Sequence, residues 1–281
     1  MSFLDRIHDC NRANLRRFRP IIIAGAQVGF VRTDTAARLK YFRDTFDVTR
    51  EAVILNPDLA SFEDRSAAML PVVAALAHDG AISAPRGELY SVATHFTAEP
   101  LMALERAAVP AFGVRAYGVH MNGFVRRGGG IEMWIGHRAK DKPTFPGMLD
   151  NMVAGGQPMG ITLQDNLIKE CAEEAAIPRE LAILATPVGA ITYRAESPEG
   201  LKPDVQFCYD LELPADFVPR NTDGEIERFE LWPIEQVMET VANTIRFKFN
   251  CNLVIIDFLV RHGLIPPDDP DYLEIVRGLR Q

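Results

Sequence analysis

Residues 155–177 read GGQPMGITLQDNLIKECAEEAAI, a glycine-rich segment followed by a run with helical periodicity. Thr162 and Asp165 have the spacing of a capping box, and Pro178 stands where a helix has to stop. The pattern therefore predicts a helix over residues 163–175. The glycines before it predict an irregular loop, because glycine adopts positive φ angles and lets the backbone approach a ligand closely.

The predicted helix carries an acidic side next to an apolar side. Glu170, Glu173 and Glu174 stand at i, i+3 and i+4, so they share an arc of roughly 100° on one side of the helix. Leu167 and Cys171 lie on the neighbouring apolar side, which can pack. Like charges at this spacing repel each other. A bound cation therefore explains the cluster better than a solvated surface face does, and carboxylate oxygens suit a hard divalent ion.

The spacing of these residues resembles the Nudix box, the signature of the Nudix hydrolases. The matching positions are Gly155, Glu170, Glu173, Glu174 and Ile177, with Cys171 in the aliphatic place. Lys169 and Ala176 replace the arginine and the glycine of the box, and Ile161 replaces a glutamate. The resemblance implies that Gly155, Glu170, Glu173 and Glu174 bind Mg²⁺ or Mn²⁺. In many relatives the positions of Ile161 and Lys169 form an ion pair, so losing both partners is less damaging than losing one.

The resemblance also implies an α+β fold. A Nudix α/β/α sandwich with a mixed β-sheet is expected over residues 111–281, preceded by a smaller α+β domain of unassigned function over residues 1–110. Segments 118–124, 133–138, 145–151 and 252–258 resemble in particular the Nudix proteins related to thiamine pyrophosphokinase, which carry such an extra domain. This subset implies hydrolysis of thiamine diphosphate, or of its oxidised forms, to the monophosphate. Within the first domain the pattern predicts helices over residues 3–17 and 35–46.

Hydrolysis of a diphosphate requires an activated water molecule and positive charge near the phosphates. Glu173 and Glu174 are therefore predicted to be catalytic as well as metal-binding. Many Nudix enzymes add a carboxylate from a later segment as a general base, and Glu225 and Glu227 are the candidates here. Both are expected on one face of a strand, because side chains alternate with a period of two. The residues leave the choice between them open, and either can equally be a solvated surface residue.

Four further residues are predicted to bind the small-molecule diphosphate substrate. His120 and Asn122 share one face of a predicted strand and can line a pocket. Arg138 and Lys142 stand after the next strand, where they can pair with phosphate oxygens. The alternatives are a hydrogen-bonded structural histidine and a surface charge run.

The composition indicates a globular protein that acts on small molecules. Its 281 residues, 47% of them hydrophobic, can build one large or two ordinary domains. An excess of 38 acidic over 30 basic residues, with a net charge of −8, argues against a nucleic-acid partner. The four cysteines are far apart, which disfavours a zinc site or a disulfide framework. No stretch resembles a signal peptide or a membrane span, so we expect a cytoplasmic protein without a membrane partner. The oligomeric state stays open, with a homodimer one option.

Three alternatives to thiamine diphosphate hydrolysis follow from the same residues. Isopentenyl diphosphate isomerase shares the fold but needs a cysteine where this chain has Met152, Val153 and Ala154, so that reaction is disfavoured. A non-catalytic Nudix-fold binding protein is favoured by Ile161 and Ala176. A hydrolase of nucleoside diphosphate derivatives, such as ADP-sugars, is compatible with every residue.

Overall fold

A computed structural model describes residues 2–142 and 144–281. The first part of the chain contains α1 (Phe3–Cys10), β1 (Phe18–Ile23), β2 (Ala26–Arg32), α2 (Thr33–Leu39), β3 (Phe46–Val48), β4 (Val53–Leu55), α3 (Phe62–His78), β5 (Leu89–Val92), β6 (Met102–Glu105) and α4 (Val109–Phe112). The second part contains β7 (Tyr117–Arg127), β8 (Gly130–Arg138), β9 (Leu149–Asp150), β10 (Val153–Gly156), α5 (Leu163–Ala175), α6 (Arg179–Ala182), β11 (Thr186–Thr192), β12 (Ala195–Ser197), β13 (Gly200–Lys202), β14 (Val205–Glu212), β15 (Ile226–Pro233), α7 (Ile234–Asn243), α8 (Phe249–Arg261) and α9 (Tyr272–Gly278).

The first unit is built on a four-stranded sheet with the order β2-β1-β4-β3 and a separate β5-β6 hairpin. Helix α3 begins at a Ser61 capping box and buries Met69 and Leu76 in the core of this unit. Two predicted helices end earlier than expected. The first helix stops at Cys10, where Asn11 caps it, and α2 stops at Leu39 because Phe46 pairs with β4 as part of a strand.

The second unit is a seven-stranded mixed sheet with the order β11-β14-β7-β8-β15, in which β10 also pairs with β7 and β9 with β8. Strand β14 runs parallel to β7, and the other pairings of this sheet are antiparallel. Met121 of β7 packs with Cys171 of α5, whereas Phe124 packs with Phe258 of α8. Helices therefore cover both faces, and the predicted α/β/α sandwich is confirmed.

The glycine-rich segment before α5 is more regular than the sequence suggests. Gly155 and Gly156 are the last residues of β10 and pair with β7, so the prediction of an irregular loop is wrong for these two positions. Glycine is needed for space rather than for a positive φ. A Cβ on Gly155 would come within 2.7 Å of Glu170 Oε1, and one on Gly156 would overlap the Tyr90 hydroxyl. Gly160, further along, does take a positive φ of 87°.

The two units are packed together at two places, one where α1 meets α8 and one between internal segments. In α1, Ile7 and Cys10 belong to the core around α8, and the Cys10 thiol donates to the Phe249 carbonyl at 3.2 Å. A division at residue 110 thus leaves α1 packed on the second unit, and the exact boundary stays a prediction. At the other contact, the Met159 N–H donates to the Leu89 carbonyl at 2.8 Å. Within the described ranges, 2–142 and 144–281, no helix has the length and apolar character needed to cross a bilayer.

Candidate active site

The helix α5 positions the acidic residues of the site. It runs over Leu163–Ala175, as predicted, and the Thr162 hydroxyl caps it by accepting a hydrogen bond from the Asp165 N–H at 3.1 Å. Its C-terminal residue Ala176 adopts a left-handed conformation with a φ of 52°. This conformation explains why the Nudix box favours glycine at that position, since glycine adopts it without steric cost.

The three box glutamates extend from the buried edge of α5 to its exposed edge. Glu174 is only 6% exposed, and its Oε2 accepts a hydrogen bond from the Ala154 N–H at 2.8 Å. Glu170 is partly buried and lies against the backbone of Gly155, while the Glu173 side chain is 49% exposed. The carboxylates therefore line the edge of β10, where the resemblance places a metal ion and a backbone ligand from Gly155.

Lys169 bridges two of these carboxylates. Its Nζ lies 3.1 Å from Glu170 Oε1 and 2.8 Å from Glu173 Oε2. Because Ile161 replaces the box glutamate, Lys169 lacks the ion-pair partner that the resemblance implies. It pairs with Glu170 and Glu173 of the box instead. One ammonium group thus shows that Glu170 and Glu173 converge on a common cation position.

The electrostatics of the glutamates fit a divalent cation. Burial raises the pKa of Glu174 well above its ordinary value, and the charges of Asp150, Glu170 and Glu225 raise it further. Burial likewise raises the pKa of Glu170, although Lys169 opposes the shift. A buried carboxylate crowded by acids is stable as an anion only with positive charge beside it. Glu170, Glu173 and Glu174 therefore suit a hard cation with oxygen ligands, and they would hold Mg²⁺ or Mn²⁺.

Glu225 is the carboxylate that the later strand brings to the site. Burial opposes its ionisation, but the Lys142 ammonium, 2.7 Å from Glu225 Oε1, outweighs burial and lowers its pKa, with help from Arg138 and Arg106. The charge of Glu225 in turn raises the pKa of Glu174.

Glu227, the other predicted base, lies outside this group. The register between β15 and β8 shifts between Ile226 and Arg228, which breaks the alternation of side chains at Glu227. Glu227 is exposed. The prediction that Glu225 and Glu227 share a strand face is therefore corrected, and Glu225 is the one of the two whose charge acts on Glu174.

His120 and Asn122 share one strand face, as predicted, but that face is turned toward α8 and away from α5. The His120 Nδ1 atom lies 2.9 Å from Asn151 Oδ1, and Asn122 Nδ2 donates to Asp210 Oδ1 at 3.2 Å. Both side chains are buried. Burial, with the nearby Lys248 charge, lowers the pKa of His120 to about 4. The structure thus gives these residues a role in an internal hydrogen-bond network in place of the expected pocket lining.

Arg138 is also used internally. Its Nη1 pairs with Asp150 at 2.8 Å, and its Nε and Nη2 donate to the carbonyls of Phe145 and Thr144, both at 3.1 Å. Each guanidinium nitrogen already has a partner, so the expected phosphate contact is corrected to a role in holding the backbone of Thr144 and Phe145. Lys142 does reach the site, but through its ion pair with Glu225.

A second group of possible metal ligands lies on the face of the sheet that α8 covers. Ligand atoms of His120, Asp150 and Cys251 lie within 4.8 Å of one another, and all three residues are buried. The Cys251 thiol donates to Asp150 Oδ1 at 2.6 Å, and Lys248 Nζ lies 3.5 Å from Asp150 Oδ2. Arg138 also pairs with Asp150, so two cationic side chains, Arg138 and Lys248, already balance the Asp150 charge. A further cation is therefore disfavoured there, in contrast to the cluster on α5.

No motif in the sequence indicates which residues the first unit brings to this site. Tyr90 and Arg106 both lie over Gly156, on the edge of β10 beside the glutamates. A cavity of about 170 Å³ opens next to them, lined by residues of both units that include Tyr90, His95, Phe96, Tyr117, Gln157 and Ile161. A larger, shallow depression of about 500 Å³ lies beyond the C-terminal end of α5, around Phe217 and Arg220, and contains none of the box glutamates.

Comparisons with known proteins show which families the two parts of the chain resemble. Residues 2–116 match the family described as "Domain of unknown function (DUF4743)", and residues 116–253 match the NUDIX domain. "Nudix hydrolase 20, chloroplastic" from Arabidopsis thaliana is 46% identical over 99% of this chain and 78% of its own length. "Nudix hydrolase 24, chloroplastic" from the same plant is 45% identical, with the same two coverages of 99% and 78%. The solved NUDIX domain of Shewanella oneidensis NrtR, a cocrystal with ADP ribose, is 15% identical, covers 54% of this chain and 91% of that chain, and gives a TM-score of 0.43.

The fold and the carboxylate cluster define a hydrolase of phosphoric anhydrides, as predicted. The chain belongs to the Nudix hydrolase family, with an N-terminal DUF4743 domain before the Nudix domain. The expectation of a cytoplasmic protein is wrong, because the two plant relatives, which match nearly the whole chain, are named chloroplastic proteins.

Proposed function

We propose that the protein hydrolyses the diphosphate linkage of a small organic diphosphate in a reaction that depends on Mg²⁺ or Mn²⁺. The observation that carries the proposal is the acidic side of α5. Glu170 lies against Gly155 and shares the Lys169 ammonium with Glu173, while Glu174 is buried. Glu174 is the most informative member, because it is buried and its one described hydrogen bond comes from the Ala154 N–H. A buried carboxylate with so little compensation is costly to the fold and is typical of a functional site.

Each residue of the site has a separate role in the reaction. When bound, the divalent ion supplies positive charge that offsets the negative charge of the phosphates and carboxylates. Glu225 accepts a proton from the attacking water, and its lowered pKa keeps it ionised and able to do so at neutral pH. Lys142 positions Glu225 through their ion pair. Addition of the water oxygen to phosphorus and cleavage of the bridging P–O bond release two monophosphate products.

The cavity beside Gln157 favours an organic diphosphate over inorganic pyrophosphate. The rings of Phe96 and Tyr117 lie in its wall with centroids 4.8 Å apart and planes tilted by 58°, and aromatic side chains of this kind bind flat rings. Thiamine diphosphate and its oxidised forms carry such rings, and so do nucleoside diphosphate derivatives of the ADP-sugar type. The resemblance of the sequence favours the former, and the screen below separates the two.

The test is a screen of thiamine diphosphate, its oxidised analogues, ADP-ribose and inorganic pyrophosphate, with Mg²⁺ or with EDTA. We expect metal-dependent release of monophosphate from at least one organic compound. Glu173→Gln should abolish that release, since it removes a ligand charge at nearly constant volume. Glu227→Gln makes the same chemical change at an exposed position outside the cluster and should leave turnover unchanged. Turnover that persists in EDTA, or in Glu173→Gln, would overturn the proposal.

A further inference from the structure

The β5-β6 hairpin of the N-terminal unit lies directly on the edge of the active site. The Met159 N–H donates to the Leu89 carbonyl at 2.8 Å, which fixes the hairpin to the segment that precedes α5. The Tyr90 side chain lies against Gly156, so closely that a Cβ on this glycine would overlap its hydroxyl. The N-terminal unit therefore reaches the strand that borders Glu170.

Arg106, the first residue after β6, is held at this edge by two neighbours. Its Nη1 pairs with Glu88 Oε2 at 2.6 Å, and its guanidinium carbon lies 5.9 Å from the centre of the Tyr90 ring. The same carbon lies 3.7 Å from the position that a Cβ on Gly156 would occupy. Its backbone N–H donates to the Glu88 carbonyl at 2.8 Å, so main chain and side chain are both anchored.

The charge of Arg106 acts on the carboxylates of the site. It favours the ionised forms of Glu170 and Glu225, one on α5 and the other beside β15. The charge of Glu225 in turn favours protonated Arg106. The charge of a single arginine of the first unit thus acts on two carboxylates of the second.

Arg106 differs from Arg138 in being available to a ligand. All three guanidinium nitrogens of Arg138 are bonded within the protein. In Arg106, the hydrogen bonds described for residues 2–142 and 144–281 use Nη1, which leaves Nε and Nη2 to other partners. Its side chain is 51% exposed. The Nη1 atom is held by Glu88, whereas the edge formed by Nε and Nη2 is open. A half-exposed arginine held in this way can bind two phosphate oxygens in bidentate fashion.

We propose that Arg106 binds the phosphate groups of the substrate, so that the N-terminal unit completes the active site of the Nudix domain. The proposal rests on the proposed function for the identity of its ligand as a diphosphate. Glu88 is a positioning residue, which orients the guanidinium and limits its motion. The N-terminal unit is then a part of the substrate site, and residues 1–110 acquire a role in phosphate recognition.

The test measures binding of methylenediphosphonate, a diphosphate mimic that is not hydrolysed, by calorimetry in the presence of Mg²⁺. We expect Arg106→Ala to weaken binding by about tenfold to a hundredfold, as expected for the loss of a charge-assisted contact. Arg106→Lys should recover only part of the affinity, because lysine keeps the charge without the planar fork. Arg38→Ala is the matched control, since Arg38 belongs to the same unit and forms a similarly exposed ion pair, 2.8 Å from Asp79.

A structural role for Arg106 predicts a different pattern. If the arginine only anchors Glu88, Glu88→Gln should weaken binding as much as Arg106→Ala does and should lower the unfolding temperature equally. We expect Glu88→Gln to retain most of the affinity, because the guanidinium is still present. Equal losses in the two variants, or an affinity of Arg106→Ala within twofold of the native protein, would overturn the proposal. If binding depended on Arg106 but no diphosphate were hydrolysed, the proposed function would be refuted and the role of Arg106 in phosphate binding would stand.

Discussion

The substitution Glu174→Gln separates the metal site from an ordinary acidic surface. Glu174 is 6% exposed and accepts a hydrogen bond from the Ala154 N–H, and it has no cationic partner among the ion pairs described for residues 2–142 and 144–281. In the absence of metal its negative charge must therefore destabilise the fold at neutral pH. Glutamine retains the volume and the acceptor oxygen but removes the charge. We expect the variant to be more stable than the native protein when no metal is present.

The size of the stability gain in Glu174→Gln depends on the burial of the charge that is removed and on the hydrogen-bonding needs of the glutamine amide that replaces it. Removing an uncompensated buried charge is worth several kcal/mol, but the glutamine amide brings two N–H groups that need partners of their own. A net gain of about 1–2 kcal/mol is expected at pH 8, which corresponds to a rise in unfolding temperature of about 2–8 °C for a chain of this size.

The effect has a defined pH dependence. The folded pKa of Glu174 is raised, so the folded protein retains this proton to a higher pH than the unfolded chain does. The destabilisation is absent below the ordinary glutamate pKa and grows as the pH rises toward the folded pKa. The stability difference between Glu174→Gln and the native protein should therefore be smaller at pH 5 than at pH 8.

Thermal unfolding in EDTA and in excess Mg²⁺ provides the measurement. Mg²⁺ should raise the unfolding temperature of the native protein and should have a smaller effect on Glu174→Gln, which lacks one ligand charge. Glu173→Gln is the control for stability, because its side chain is 49% exposed and its change in EDTA should stay within about 0.5 kcal/mol. If Glu174→Gln were no more stable than the native protein in EDTA, and gained as much from Mg²⁺, the reasoning about the buried charge would be refuted.

Three other outcomes are expected. Lys169→Gln should lower the Mg²⁺ concentration for half-maximal activity by about twofold to fivefold, since it removes a half-exposed ammonium that competes for Glu170 and Glu173; an increase would contradict this. Lys142→Met should shift the acidic limb of the pH–rate profile upward, because the Lys142 charge is what lowers the pKa of Glu225, and an unmoved limb would argue against Glu225 as base. Gly155→Ala should reduce turnover at least tenfold in a folded protein, as its Cβ would displace the Glu170 carboxylate, and activity near the native level would show that this contact is unimportant.

The sequence predicts local features, such as helix bounds and caps, most accurately. The bounds of α5 and its Thr162 cap follow from helical periodicity and capping chemistry, and both features are seen in the structure. The period-two rule places His120 and Asn122 on the same face as expected. It does not determine which face of the sheet receives α5 and which receives α8, so a predicted substrate pocket is an internal network instead.

The remaining differences come from contacts between distant segments. The bulge between Ile226 and Arg228 depends on pairing with β8, and no pattern in residues 223–227 announces it. Arg138 has the position expected of a phosphate ligand, but a buried aspartate and two loop carbonyls occupy its nitrogens. Arg106 reaches the site only because the two units pack together. Helical and strand periodicity carry no information about such a contact.

The departures from the Nudix box have local explanations that do not require loss of catalysis. Ala176 occupies the left-handed conformation that glycine would adopt, and the Ile177 N–H still donates to the Cys171 carbonyl at 3.0 Å to close the helix. The strain of that conformation is about 1–2 kcal/mol, and the Lys169 contacts that follow from Ile161 are worth about 1 kcal/mol or less. Catalysis by an enzyme of this kind requires at least about 8 kcal/mol of barrier reduction, which the proposed carboxylates and a divalent ion would supply together. Since these substitutions perturb stability and metal affinity by much less, and the three box glutamates are all retained, they do not favour a non-catalytic binding protein.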